Sequence, residues 1–135
     1  MITKIDFSKI LPLLRVGGKM TLSSNSHTAV VGIDLGNVNL AYGEGDNVYL
    51  AFFNLLWRMY GEKPPRVDDI SKGDDDVLTN FLRREGTIKV SYLGTRLQVK
   101  LDLPSRPDKY GSGDSFESAM VDALLRHYME NLPLI

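Results

Sequence analysis

The spacing of hydrophobic positions changes several times along the chain. Val77, Leu78, Phe81 and Leu82 recur at i, i+1, i+4 and i+5, the spacing of an amphipathic helix. Asp74, Asp75 and Asp76 precede it and Arg83 and Arg84 close it, which suits the two ends of a helix dipole, and Gly86 is a stop signal. From residue 88 the period falls to two. Ile88, Val90 and Tyr92, then Leu97, Val99, Leu101 and Leu103 beyond a Gly94–Thr95 turn, predict a hairpin with one buried and one wet face. A helical period returns at Phe116, Ala119, Met120, Ala123, Leu124, His127 and Tyr128.

Residues 1–67 run through the same series. Ile10, Leu11 and Leu14 predict a helix that Pro12 shortens. Met20 and Leu22, then Ala29, Val31, Ile33 and Leu35, predict a hairpin around a polar turn at Ser23-Ser24-Asn25-Ser26. Val48, Ala51, Phe52, Leu55, Leu56, Met59 and Tyr60 predict the closing helix. Residues 37–42 leave room for a short third strand, whereas Pro104 and Pro107 speak against its counterpart in the second half.

Shifting the chain by 68 positions aligns these two series without a gap and yields 20 identities over 66 pairs. Unrelated sequences of average composition would give about four. The expected architecture is therefore α+β: two tandem α-β-β-α repeats, 1–67 and 68–135, with a third short strand left open. Each copy is marginal as a separate core. The expectation is one fused domain with a pseudo-twofold axis and a mainly antiparallel sheet.

Composition narrows the function classes. The 135 residues hold 16 basic and 17 acidic side chains, so there is no overall attraction to phosphate backbones or anionic membranes. No cysteine is present, which removes disulfides, thiolate catalysis and cysteine-based zinc sites. No apolar run approaches a membrane span. Met1 leads into Lys4 and Asp6 without the pattern of a signal peptide, so a soluble, cytoplasmic protein is expected.

Catalytic candidates are few. His27 and His127 are the only histidines, and His127 falls on an apolar stripe, where a packed role is expected. Asp34 and Asp102 recur in both copies and could share acid–base work, although a salt bridge accounts for them with less machinery. The Gly-x-Gly-Asp segments at 43–46 and 111–114 precede helices, where anions can bind, but their aspartates suit capping better. Asp46 or Asn47 would cap the first closing helix and Asp114 or Ser115 the second, with Asp114 and Glu117 as a capping-box variant. No catalytic set, metal site or cofactor is expected, and the protein is read as a non-enzyme.

Gly111, Gly113, Ser115, Ala119 and Ala123 resemble the Gly-x-Gly-x-Ser-Lys-Lys-x-Ala-x-x-x-Ala pattern of double-stranded-RNA-binding domains. That resemblance implies an α-β-β-β-α unit of about this length. The family's phosphate-binding lysine pair falls on Phe116 and Glu117, and on Val48 and Tyr49 in the first copy, so RNA binding does not carry over with it. The closing helices are also similar in style to those of small accessory proteins of tailed bacteriophages.

The two copies differ most on the closing helix. Tyr49, Phe53 and Trp57 form a second apolar stripe where the second copy has Glu117, Val121 and Leu125. Such a helix is either buried at the junction between repeats or forms a partner-binding surface. The expected function is a non-enzymatic protein-binding module, of phage-accessory or inhibitor type and acting on a host protein, in a monomer or homodimer. The alternative is a degenerate nucleic-acid-binding module using the wet strand face. On that face Lys89, Arg96, Gln98 and Lys100 are the further partner-binding candidates, with Lys19 in the other copy.

Overall fold

The computed structural model describes residues 10–25, 28–36, 38–61 and 77–129. Along them run α1 (Leu11–Arg15), β1 (Gly18–Asn25), β2 (Thr28–Leu35), β3 (Val38–Gly45) and α2 (Val48–Tyr60). Then follow α3 (Val77–Arg84), β4 (Thr87–Leu93), β5 (Arg96–Asp102), β6 (Lys109–Gly113) and α4 (Phe116–Met129). The fold is α+β, with one six-stranded sheet in the order β3-β2-β1-β4-β5-β6. Every neighbouring pair is antiparallel.

The alternation read from the sequence decides which sheet face is covered. Met20, Leu22, Val31, Ile33, Ile88, Val90, Leu97, Val99 and Leu101 are fully buried and stand in register across the central four strands. α2 packs on β2 and β3, α4 on β5 and β6, and α1 and α3 on β1 and β4. The helices thus share one face of the sheet. Leu14, Phe52, Leu55, Leu78, Phe81, Met120 and Leu124 complete a single core with the strands.

Several expectations need correction. A third strand is present in both series: β3 runs for eight residues and β6 for five. Pro104 and Pro107 lie in the connection before Lys109, so they shorten the strand without abolishing it, and β6 is an outer strand, where missing ladder donors matter least. Ser23, Ser24 and Asn25 continue β1 opposite Val30, Ala29 and Thr28, so most of the polar run read as a turn is strand. The Gly-x-Gly pairs sit inside β3 and β6, not in loops. Asp74, Asp75, Asp76 and His27 fall outside the described residues.

Those glycines have a packing reason. A Cβ on Gly43 would stand 2.2 Å from the Ala51 carbonyl oxygen, and one on Gly111 would stand 2.2 Å from the Ala123 nitrogen. Both α2 and α4 cross their outer strand at backbone contact distance, which needs glycine in the strand.

Caps differ from the aspartate expectation by one residue. Asn47 caps α2, its side-chain oxygen accepting from the Leu50 N–H at 2.8 Å, and Gly61 ends that helix at φ 72°. Ser115 caps α4, and Ser115 and Ser118 exchange N–H to hydroxyl bonds of 3.1 Å each, a reciprocal capping box. Asp46 instead accepts from Arg83 through its backbone carbonyl, and the Asp114 side chain is almost fully exposed beside Arg96.

Candidate partner-binding surface

The outer side of α2 decides between the two explanations of its aromatic stripe. Trp57 is 52% exposed, while Tyr49 and Phe53 are half-buried and meet edge to face at 4.7 Å between centroids. Burial at the junction between the halves therefore does not describe Trp57. The halves meet where β1 pairs with β4, beneath α1 and α3, and at the N-terminal end of α2, where the Val48 N–H and the Asp46 carbonyl bond to Thr79 and Arg83. α2 lies over β2 and β3 at one end of the sheet, with its second stripe turned outward. The periodicity revealed two apolar sides but not which neighbour takes the second one.

The helix leaves little charge near this stripe. Arg58 is the only ionisable residue of α2 other than its tyrosines. Its guanidinium lies over the Tyr42 ring at 4.7 Å and donates to the Tyr42 carbonyl at 3.1 Å. Asn54 donates to the Glu44 carbonyl. The outer strand is thereby bonded to its own helix, and the stripe is left apolar. At the other end of the sheet the Ser112 N–H donates to Asp122 of α4 at 3.0 Å. That bond, with Arg126 beside it, holds the Asp122 carboxyl below its ordinary range.

The opposite sheet face is wet and charge-paired. Lys89 and Lys100 stand directly opposite each other on β4 and β5, a like-charge juxtaposition that costs stability unless relieved. Each has its own carboxylate: Lys89 with Asp102 at 3.7 Å and Lys100 with Asp108 at 3.3 Å. The hydrogen bond and charge of Asp108 raise the Lys100 pKa above its ordinary value. Arg96 pairs with Asp114 at 3.5 Å, Gln98 is half-buried on the same face, and Lys19 is exposed opposite Asp34. The four candidates of β4 and β5 are therefore brought together, on a face where carboxylates answer the cations.

Other candidates are not assembled. Asp34 and Asp102 lie on β2 and β5 with two strands between them. At about 4.8 Å per strand the two strands are about 14 Å apart, and the register sets Asp102 four residues further along β5, too far to share one proton. His127 is buried, edge to face with Phe81 and bonded to Glu85, as a packed histidine should be. Tyr128, expected in the core stripe, is exposed instead, though partial burial and the Glu85 charge raise its pKa. The N-termini of α2 and α4 are also occupied. The Val48 N–H donates to the Thr79 hydroxyl at 3.0 Å, and the cap side chains take the Leu50 and Ser118 amides. Among the described residues no cluster of His, Cys, Asp or Glu is placed to hold a metal ion. No described helix is long and apolar enough to cross a membrane.

One surface escaped the sequence reading. Leu125, Tyr128 and Met129 on α4 are 52%, 43% and 60% exposed. Leu125 occupies the place of Trp57 in the 68-residue offset, which is the signal that could have revealed it. Comparison with known protein families, with curated proteins and with solved structures returns no match.

Proposed function

We propose that the protein is a non-catalytic binding module whose partner-binding surface is the Tyr49, Phe53 and Trp57 stripe of α2. A half-exposed tryptophan on the same helix stripe as two half-buried aromatics is the observation that carries this reading. Tryptophan and tyrosine are favoured anchors in protein interfaces, and contiguous exposed apolar surface of this kind marks interaction sites. The resemblance to phage accessory proteins makes a soluble host protein the partner proposed, with inhibition or adaptation as the outcome. The test pairs two baits in a host extract, the native chain and Trp57→Ala, with melts to match their stability. The native chain should retain a protein that Trp57→Ala loses. Identical retained sets would count against this surface.

The scaffold proposed beneath it is a fused duplication, 1–67 and 68–135, in which each half contributes an α-β-β-β-α unit. Thr21 and Lys89, 68 positions apart, face each other across the central strand pair. Met20 opposite Val90 and Leu22 opposite Ile88 are the two flanking pairs that a twofold axis at that point would exchange. Asn54 with Glu44 and Asp122 with Ser112 repeat one helix-to-strand contact at the same offset.

The α-β-β-β-α order also favours a second reading, a degenerate double-stranded-RNA-binding module. Two observations weigh against it. Val48 and Phe116, at the family's lysine positions, are core residues, and Lys89, Arg96 and Lys100 already have carboxylate partners. A retardation of duplex RNA that weakens steeply with salt would favour this second reading over the first.

A further inference from the structure

We propose that the outer face of α4 is a homodimer interface. It takes the same face of a second copy, with the two helices packed antiparallel about a twofold axis. Leu125, Tyr128 and Met129 are exposed at i, i+3 and i+4, and Val121, half-buried, extends the strip by one turn. The inward side of α4 is already committed to β5 and β6. The rim of the strip identifies the occupant. Asp122 and Arg126 lie one turn apart beside it, 3.3 Å from each other, with side chains 35% and 64% exposed.

An acid and a base one turn apart are self-complementary in an antiparallel pairing. With the crossing centred near residue 124, Asp122 stands opposite the partner's Arg126, and Arg126 opposite the partner's Asp122. Val121 then falls within about one residue of the partner's Tyr128 and about two, roughly 3 Å, of the partner's Leu125, so apolar meets apolar along the axis. Arginine has five donors in a planar fork, so Arg126 can keep its own Asp122 while it takes the partner's. Antiparallel helix dipoles add to the fit. The outer face of α2 lacks this device, because its single cation is turned onto Tyr42 and it carries no acid. A dimer through α4 leaves the α2 stripes free at its far ends, so it goes beyond the α2 reading without depending on it.

Sedimentation of the full chain over a range of concentrations tests this. The native chain should show a monomer–dimer equilibrium, and Leu125→Glu should remain monomeric, with the melt of the native chain diluted below its dimer range. Trp57→Ala should dimerise as the native chain does. Arg126→Asp should weaken the dimer about tenfold or more, as opposed like charges do. Its mixture with Asp122→Arg should form a one-to-one heterodimer that neither variant forms alone. Asp122 also bonds the Ser112 N–H, so should Asp122→Arg fail to fold, Leu125→Glu and Arg126→Asp decide. A native chain that sediments as a monomer throughout overturns the proposal. So does a Leu125→Glu dimer of native strength, or loss of the dimer in Trp57→Ala.

Discussion

Single residues set the closest tolerances in this fold. Gly43→Ala and Gly111→Ala would each drive a methyl group into helix backbone that cannot swing aside. Each should destabilise by about 1–3 kcal/mol or more, as overpacking does. Gly32→Ala is the control, because its Cβ would meet Tyr42 at an ordinary 3.8 Å. Denaturant melts of the three variants should separate them cleanly. Capping gives a second contrast. Ser115→Ala removes the acceptor of the Ser118 N–H and should cost on the order of 1 kcal/mol. Asp114→Ala touches only an exposed ion pair and should stay within about 0.5 kcal/mol. Both Asp114 and Ser115 are good caps by residue type, so sequence could not choose between them. The choice followed from where β6 ends and the backbone turns.

At the scale of elements, hydrophobic periodicity located helices and strands well. It failed where neighbours decide. The third strands were legible only as a remainder after Leu35 and Leu103, since Gly-x-Gly carries no alternation to read. The two-sided apolar pattern of α2 was legible, but not which side meets the sheet, because packing against β2 and β3 is a property of the sheet order. The bonds tying the closing helices to the outer strands were likewise invisible, since Asn54 and Asp122 are ordinary surface residues by type. Asp122 makes that tie pH-dependent. Its pKa lies below 3.8 in the folded chain, so the carboxylate bond contributes fully above that value. The contribution is lost as pH falls through the lower folded value. Asp122→Ala should therefore melt below the native chain at neutral pH, and the gap should close as the solution is taken below about pH 3.8. A gap that persists unchanged in acid would mean that the bond is not ionic in origin.

For the molecule as a whole, the 68-residue offset was the most informative feature of the sequence, and the central β1–β4 pairing gives it a physical consequence. Met20, Leu22, Ile88 and Val90 come from different halves and are all fully buried. A chain of residues 68–135 alone would leave the β4 edge unpaired and half of that layer in water. It should be unstable or recover its edge by dimerising. A monomeric half with a cooperative melt would instead argue that each half folds independently.

The binding proposed for α2 depends first on Trp57 standing in water, and the chain has no other tryptophan. Intrinsic fluorescence of the dilute native chain therefore reads this one side chain without labelling. The expected result is emission close in wavelength to that of the denatured chain, with ready quenching by acrylamide before denaturant is added. Trp57→Ala should then melt close to the native chain, well short of the roughly 3–5 kcal/mol lost with a buried aromatic. A blue-shifted emission that acrylamide cannot reach until the chain unfolds would contradict an outward-facing stripe and remove α2 as the binding surface.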